Sequence, residues 1–149
     1  MEVSPHCIGT VVAAKAIEHL LDGTGEGSYK DEHPWLVARD LLAASTEGEL
    51  GLPILFATGE PLVFTHWSFL KRIQVVELHR GQWETICDFT RLQSVNPIFS
   101  ELDSVFLKPT EEQLQRERRE GLRQHRFSLD ETHVRPYAIC ETPAYIAGD

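Results

Sequence analysis

The sequence predicts an α+β domain: two N-terminal helices, a small antiparallel barrel-like sheet, and one polar helix before a final strand. Three observations lead there. Apolar residues recur at helical spacing up to residue 44, short apolar and alternating runs replace them from Leu52 to Phe89, and a capping box opens a polar segment at Thr110. At 149 residues the chain suits one domain, an acidic helical part over 1–50 packed on a barrel-like part over 51–149. A domain of this length buries roughly 68–70% of its unfolded surface, enough for a core without disulfide or metal staples.

Ile8, Val11, Val12, Ile17, Leu20 and Leu21 lie near helical spacing, with Gly23 as a stop. The β-branched residues at the start also allow a short strand over Cys7–Val12. Asp22 to Ser28, with glycine at 23, 25 and 27, reads as a loop. Pro34 suits the first turn of a second helix to about Ala44, with Trp35, Leu36, Leu41 and Leu42 buried. Pro53–Ala57 is a buried strand, and Leu62–Trp67 follows after the turn-forming Thr58–Pro61. Ile73–Leu78 and Trp83–Phe89 are two more strands, joined by a hairpin at His79–Gln82. In the last of these Trp83, Thr85, Cys87 and Phe89 alternate with polar residues, the period of a half-exposed strand. A polar helix runs from Thr110 to about Gln124, weakened at Gly121 by about 1 kcal/mol relative to alanine. Val134–Cys140 is the last strand, with Pro136 suited to an edge.

Composition narrows the function classes. Apolar residues make up 42% and charged residues 25%, a globular balance. The longest stretch without Asp, Glu, Lys or Arg, Val3 to Ala14, is too short to span a bilayer, and no base precedes Lys15, so membrane insertion and secretion are not expected. The odd, scattered cysteines Cys7, Cys87 and Cys140 fit reduced thiols in a cytoplasmic protein. The net charge of −9 divides unevenly: −7 over residues 1–60, +1 over 61–127 and −3 over 128–149. Excess acid at the two ends leaves the middle free to carry local basic clusters.

Catalytic and cofactor fingerprints are missing from the sequence. Gly23-x-Gly25-x-Gly27 lacks dinucleotide spacing, and as a calcium loop it would end on His33 where a bidentate acid is required. A thiol dyad could pair Cys87 or Cys140 with His66, His79 or His133, but no spacing selects one. No cofactor or metal is expected, and catalysis is the lesser expectation. Two constellations remain. Arg116, Arg119, Arg123 and Arg126 fall at i, i+3, i+7 and i+10, a stripe that could follow phosphates if the helix passes Gly121. Glu112 to Arg116 and Glu120 to Arg123 would instead make it a solvated face with internal pairs. Phe64, His66 and Trp67 end one strand and Trp83 begins another, with Lys71 and Arg72 close by in sequence. These residues suit a pocket that stacks a planar base, or else the tryptophans belong to the core.

Leu52-Pro-Ile-Leu-Phe-Ala, then Phe64-Thr-His-Trp, then Ile73-Gln-Val-Val-Glu-Leu resembles the PUA-like superfamily of small barrels, especially its EVE and ASCH members. The resemblance spans about residues 50–145. It implies a curled barrel with flanking helices and a pocket for RNA or a modified DNA base, its aromatics from Phe64, Trp67 and Trp83 and a polar contact from His66. The expected function is therefore non-catalytic recognition of nucleic acid or a nucleobase, with Lys71, Arg72 and the arginine stripe on phosphates. The alternative is an acidic interaction domain, antitoxin-like or immunity-like, that masks a basic protein partner through its N-terminal third.

Overall fold

In the computed structural model, which describes residues 2–21, 26–95, 100–123 and 125–147, every residue from Gly51 to Thr58 is buried. A strand buried on both faces needs a layer on each side, and the rest of the fold supplies them. Short strands β1 (Glu2–Val3), β2 (His6–Val11) and β3 (Gly27–Asp31) alternate with helices α1 (Ala14–Leu21) and α2 (Leu36–Glu47). Next come β4 (Leu50–Gly51), β5 (Pro53–Thr58), the 17-residue β6 (Val63–His79) and β7 (Gln82–Phe89). Two-residue strands β8 (Gln93–Ser94) and β9 (Ser100–Glu101), α3 (Glu111–Glu120), β10 (Ala138–Glu141) and α4 (Ala144–Ala147) complete the chain. The main sheet runs β10-β2-β5-β6-β7-β3. It is antiparallel except between β2 and β5, and it is curled but not closed. The Tyr29 hydroxyl donates to the Val11 carbonyl at 3.2 Å and ties the β3 edge back towards β2.

Each face of the sheet carries a core. Ile8, Ile54, Phe56, Ile73, Cys87 and Phe89 pack with Ile17 of α1 and Ala38 of α2, while Cys7, Leu55, Phe64, Val105, Leu129 and Val134 form the other side under the C-terminal segments. Trp35, fully buried at the start of α2, stacks on Tyr137 at 4.6 Å between centroids and lies 5.9 Å from Tyr29.

The α+β class, the hairpin and the capping box stand as the sequence predicts, and several boundaries are corrected. Residues 6–11 form the short strand that the sequence allowed over Cys7–Val12 rather than the start of the first helix, because β2 is sandwiched between β5 and β10 and its β-branched residues fit a pleated, two-faced position. In α2, Leu36 is exposed and Ala38 takes the core place expected of it. The strands expected at 62–67 and 73–78 are one element. Lys71 and Arg72 mark an irregularity in the β6–β7 register where β6 bends, not a break. Gly81, at φ +76°, makes the two-residue turn between His79 and Gln82. Gly121, at φ +69°, ends α3 at Glu120, short of the expected Gln124, which lies outside the described residues. The last strand starts at Ala138, with Pro136 ahead of it rather than within it. Most of the glycine loop, residues 22–25, lies outside the described residues, while Gly27 and Ser28 belong to β3.

Buried Thr85 joins the α2 entrance to β7. Its hydroxyl donates to the His33 carbonyl at 2.6 Å and accepts from the Trp35 N–H at 3.1 Å. Thr85→Val keeps the shape but strands a buried N–H, so urea denaturation should show a loss of about 2 kcal/mol, whereas Thr85→Ser stays close to wild type.

Candidate functional site

The α3 capping box is complete: the Thr110 hydroxyl accepts from the Gln113 N–H at 3.1 Å, and the Gln113 side chain accepts from the Thr110 N–H at 2.9 Å. This fixes where the helix begins, and Gly121 fixes where it ends. The four arginines therefore do not form one stripe. Arg116 and Arg119 lie on the helix, whereas Arg123 and Arg126 lie beyond it on the returning chain. Arg116 pairs with Glu112 at 3.6 Å on the surface.

Arg126 has a different role from the one the stripe implies. Its side chain is only 9% exposed and donates to both Glu117 carboxylate oxygens on α3 and, at 3.1 Å, to Glu141 on β10. Arg123 donates to the same Glu141 oxygen at 3.1 Å. The hydrogen bond that Arg126 donates to Glu117 leads the effects that hold the Arg126 pKa above its ordinary value. Arg126 thus clamps α3 to the sheet edge, and its guanidinium is already committed to carboxylates.

The clamp leaves a cleft of about 410 Å³ between α3 and the segments 107–109 and 125–127. Leu107, Pro109 and Phe127 give it an apolar lining, Lys108, Arg116 and His125 bring cationic or titratable groups to it, and Glu112, the partner of Arg116, adds one carboxylate. Two backbone bonds position these walls: Leu107 N–H to Phe127 O at 2.8 Å, and Lys108 N–H to Ile139 O at 3.0 Å. Phe127 is 58% exposed, an unusual state for an aromatic side chain, and His125 meets it edge-on with centroids 5.5 Å apart. Lys108 forms no ion pair with a described residue. A flat apolar ring beside cations can hold a planar, anionic ligand by stacking and charge.

The aromatic residues expected to share a pocket are dispersed. Phe64 is fully buried between β5 and β9 and cannot face a ligand. His66 is half-buried, with Nδ1 2.9 Å from the Thr65 hydroxyl, and Trp67 sets its ring edge-on to Phe69 at 5.2 Å. Trp83 pairs with Glu77, ten residues further along β6 than Trp67, or roughly 30 Å of extended chain. It lines a separate recess of about 430 Å³ with Glu32, Leu78 and Gln82. Lys71 and Arg72 are exposed, and Arg72 is 3.4 Å from Asp88. Sequence reasoning missed Lys108, His125 and Phe127. The available signal was an aromatic residue set inside the basic run Arg123 to Phe127, a pattern sought only around the tryptophans.

The thiols are placed against catalysis. Burial pushes the Cys87 pKa up to about 12, and burial together with neighbouring Cys140 pushes Cys7 well up. Among the described residues no group of three His, Cys, Asp or Glu side chains is placed to hold a metal ion, and no helix is long and apolar enough to cross a membrane. No family model, curated protein or solved structure matches the chain.

Two predictions follow from these contacts. Arg126→Ala leaves two carboxylates facing each other, so a loss of about 2–3 kcal/mol and a melting point lower by roughly 6–10 °C are expected by calorimetry. The second concerns pH. Burial lowers the pKa of His6, with Lys108 adding to the effect, and burial alone lowers that of His66, both from an ordinary 6.5. Each histidine takes its proton more readily unfolded than folded, so stability is full above about pH 6.5 and falls as the pH drops towards the folded pKa. Urea midpoints at pH 7.5 and 5.5 should show this loss, and His6→Asn with His66→Asn should flatten it.

Proposed function

We propose that the protein is a non-catalytic recognition module that binds single-stranded nucleic acid, with the α3 cleft as its contact site. The supporting observation is the exposed Phe127 ring, backed edge-on by His125 and set beside Lys108 and Arg116. An unstacked base has an apolar face for the ring, and its flanking phosphates have Lys108 and Arg116 within the same cleft. The sequence resemblance to PUA-like barrels points to the same class of ligand. In this reading the base-stacking role moves from Phe64, Trp67 and Trp83 to Phe127, and Arg126 holds the site together without touching phosphate. The setting is cytoplasmic, where the three buried cysteines remain thiols.

A second reading rests on α2. Its outer side exposes Leu36 and Val37, the latter 62% exposed, and α2 also carries the exposed acids Asp40 and Glu47. That combination suits a basic protein partner.

Fluorescence anisotropy with a labelled 12-nucleotide single strand at ~50 mM salt tests the main reading. Saturable binding is expected. Phe127→Ala should weaken it about tenfold, a typical stacking contribution per base. Lys108→Gln with Arg116→Gln should lower the slope of log K against log salt by about 1.4, at ~0.7 per phosphate contact. Trp67→Ala and Asp40→Lys should leave affinity unchanged. No saturation up to ~100 µM, or binding indifferent to Phe127→Ala, would overturn the reading.

A further inference from the structure

Among the described residues, no strand pairs with the side of β6 opposite β7 over half its length. β7, β8 and β9 lie one after another along one side of β6, while β5 lies on the other and pairs only with Val63 to Phe69. Leu70 N–H still reaches the Leu52 carbonyl, at 2.9 Å. From Arg72 to His79 the strand partners of β6 among the described residues are all on β7. Register shifts at Leu70/Arg72 and Glu77/His79 bound the regular stretch, and between them every second N–H and C=O points away from β7, along about 20 Å of extended chain. Seven of the nine residues from Lys71 to His79 are exposed, all but Ile73 and Val75, including Val76 at 45% and Leu78 at 55%. Ala38 of α2 and Ile73 belong to the core on the inner face, so the helix covers that face rather than the edge.

We propose that this edge pairs with the same edge of a second copy, β6 to β6, in a two-fold antiparallel dimer. Charge complementarity favours a second copy as the occupant. Lys71 and Glu77 are exposed, of opposite sign, six residues apart, and neither pairs with a described residue of its own chain. In an antiparallel pair centred on Gln74, Lys71 of each chain lies opposite Glu77 of the other, and Ile73 lies opposite Val75. The two-fold axis makes each contact twice. A register one step further along would set Ile73 against Glu77 and Lys71 against His79. The edge is short compared with a stable interface of about 1,200 Å² or more, so the dimer is a weak one that depends on concentration.

Sedimentation velocity of the full chain from ~1 to ~200 µM reads this directly. A concentration-dependent shift from monomer to dimer is expected in that range. Lys71→Glu sets like charges opposite each other twice and should weaken the dimer at least fivefold. Lys71→Glu combined with Glu77→Lys restores the pairing and should return it to near wild type. Both positions are exposed, and circular dichroism of each variant confirms that the monomer is folded. A wild-type chain that stays monomeric at ~200 µM, a dimer indifferent to Lys71→Glu, or a swap that fails to rescue would each overturn the proposal. The dimer does not depend on nucleic-acid binding, so failure of either reading leaves the other standing.

Discussion

The length of β6 constrains the rest of the architecture. Seventeen residues of strand would extend about 56 Å, whereas a compact chain of 149 residues is under about 40 Å across. The strand must bend, project, or both. The register shift at Leu70/Arg72 supplies the bend, letting the first half of β6 join β5 and the second half join β7. The far end then extends with β7 as a two-stranded arm, since β3 reaches only to Thr85. Both the curl of the sheet and its exposed edge follow from this one long element.

The two-sided burial of β5 is the complementary constraint. Its inner face is filled by α1 and α2, and Thr85 and Trp35 lock α2 into place at the arm's base. Its outer face is covered by segments with little regular structure, which need anchors of another kind. Arg126 is the principal one, joining α3 to β10 through Glu117 and Glu141. A guanidinium suits this task because its planar fork can reach two carboxylates at once. The cleft beside α3 is a result of that anchoring: the helix is tied at its C-terminal half and stands away from Phe127 at its N-terminal half.

Much of the fold was legible in the sequence. The capping box at Thr110, the glycine turn at 81 and the apolar run at 53–57 each have a local cause, so local patterns locate them. The errors share a non-local cause. Residues 6–11 suit a helix or a short strand by their own pattern, and the neighbours they meet decide for the strand. β3 begins in a glycine-rich stretch and is polar at Ser28 and Lys30, so it carries no apolar signal of its own. It is a strand because β7 pairs with it. The site was less legible than the fold. An arginine spacing of i, i+3, i+7 and i+10 implies one face only if the helix continues, and Gly121 ends it. Trp67 and Trp83 look close when strands are short and separate, and become distant along the chain once the strand that carries Trp67 and the strand at 73–78 prove to be one. Exposure of Phe127 depends on how the chain after α3 folds back, which no local pattern records.

A titration followed by amide and side-chain NMR tests whether ligand contacts the α3 cleft. A single-stranded oligonucleotide is added to isotope-labelled protein, and the perturbed residues are located on the fold. The Phe127 ring, Lys108, Arg116 and His125 should shift together and saturably, while Trp67, Trp83 and the α2 surface stay in place. Shifts that centre on Trp67 or Trp83, or that never saturate, would contradict a contact at the α3 cleft.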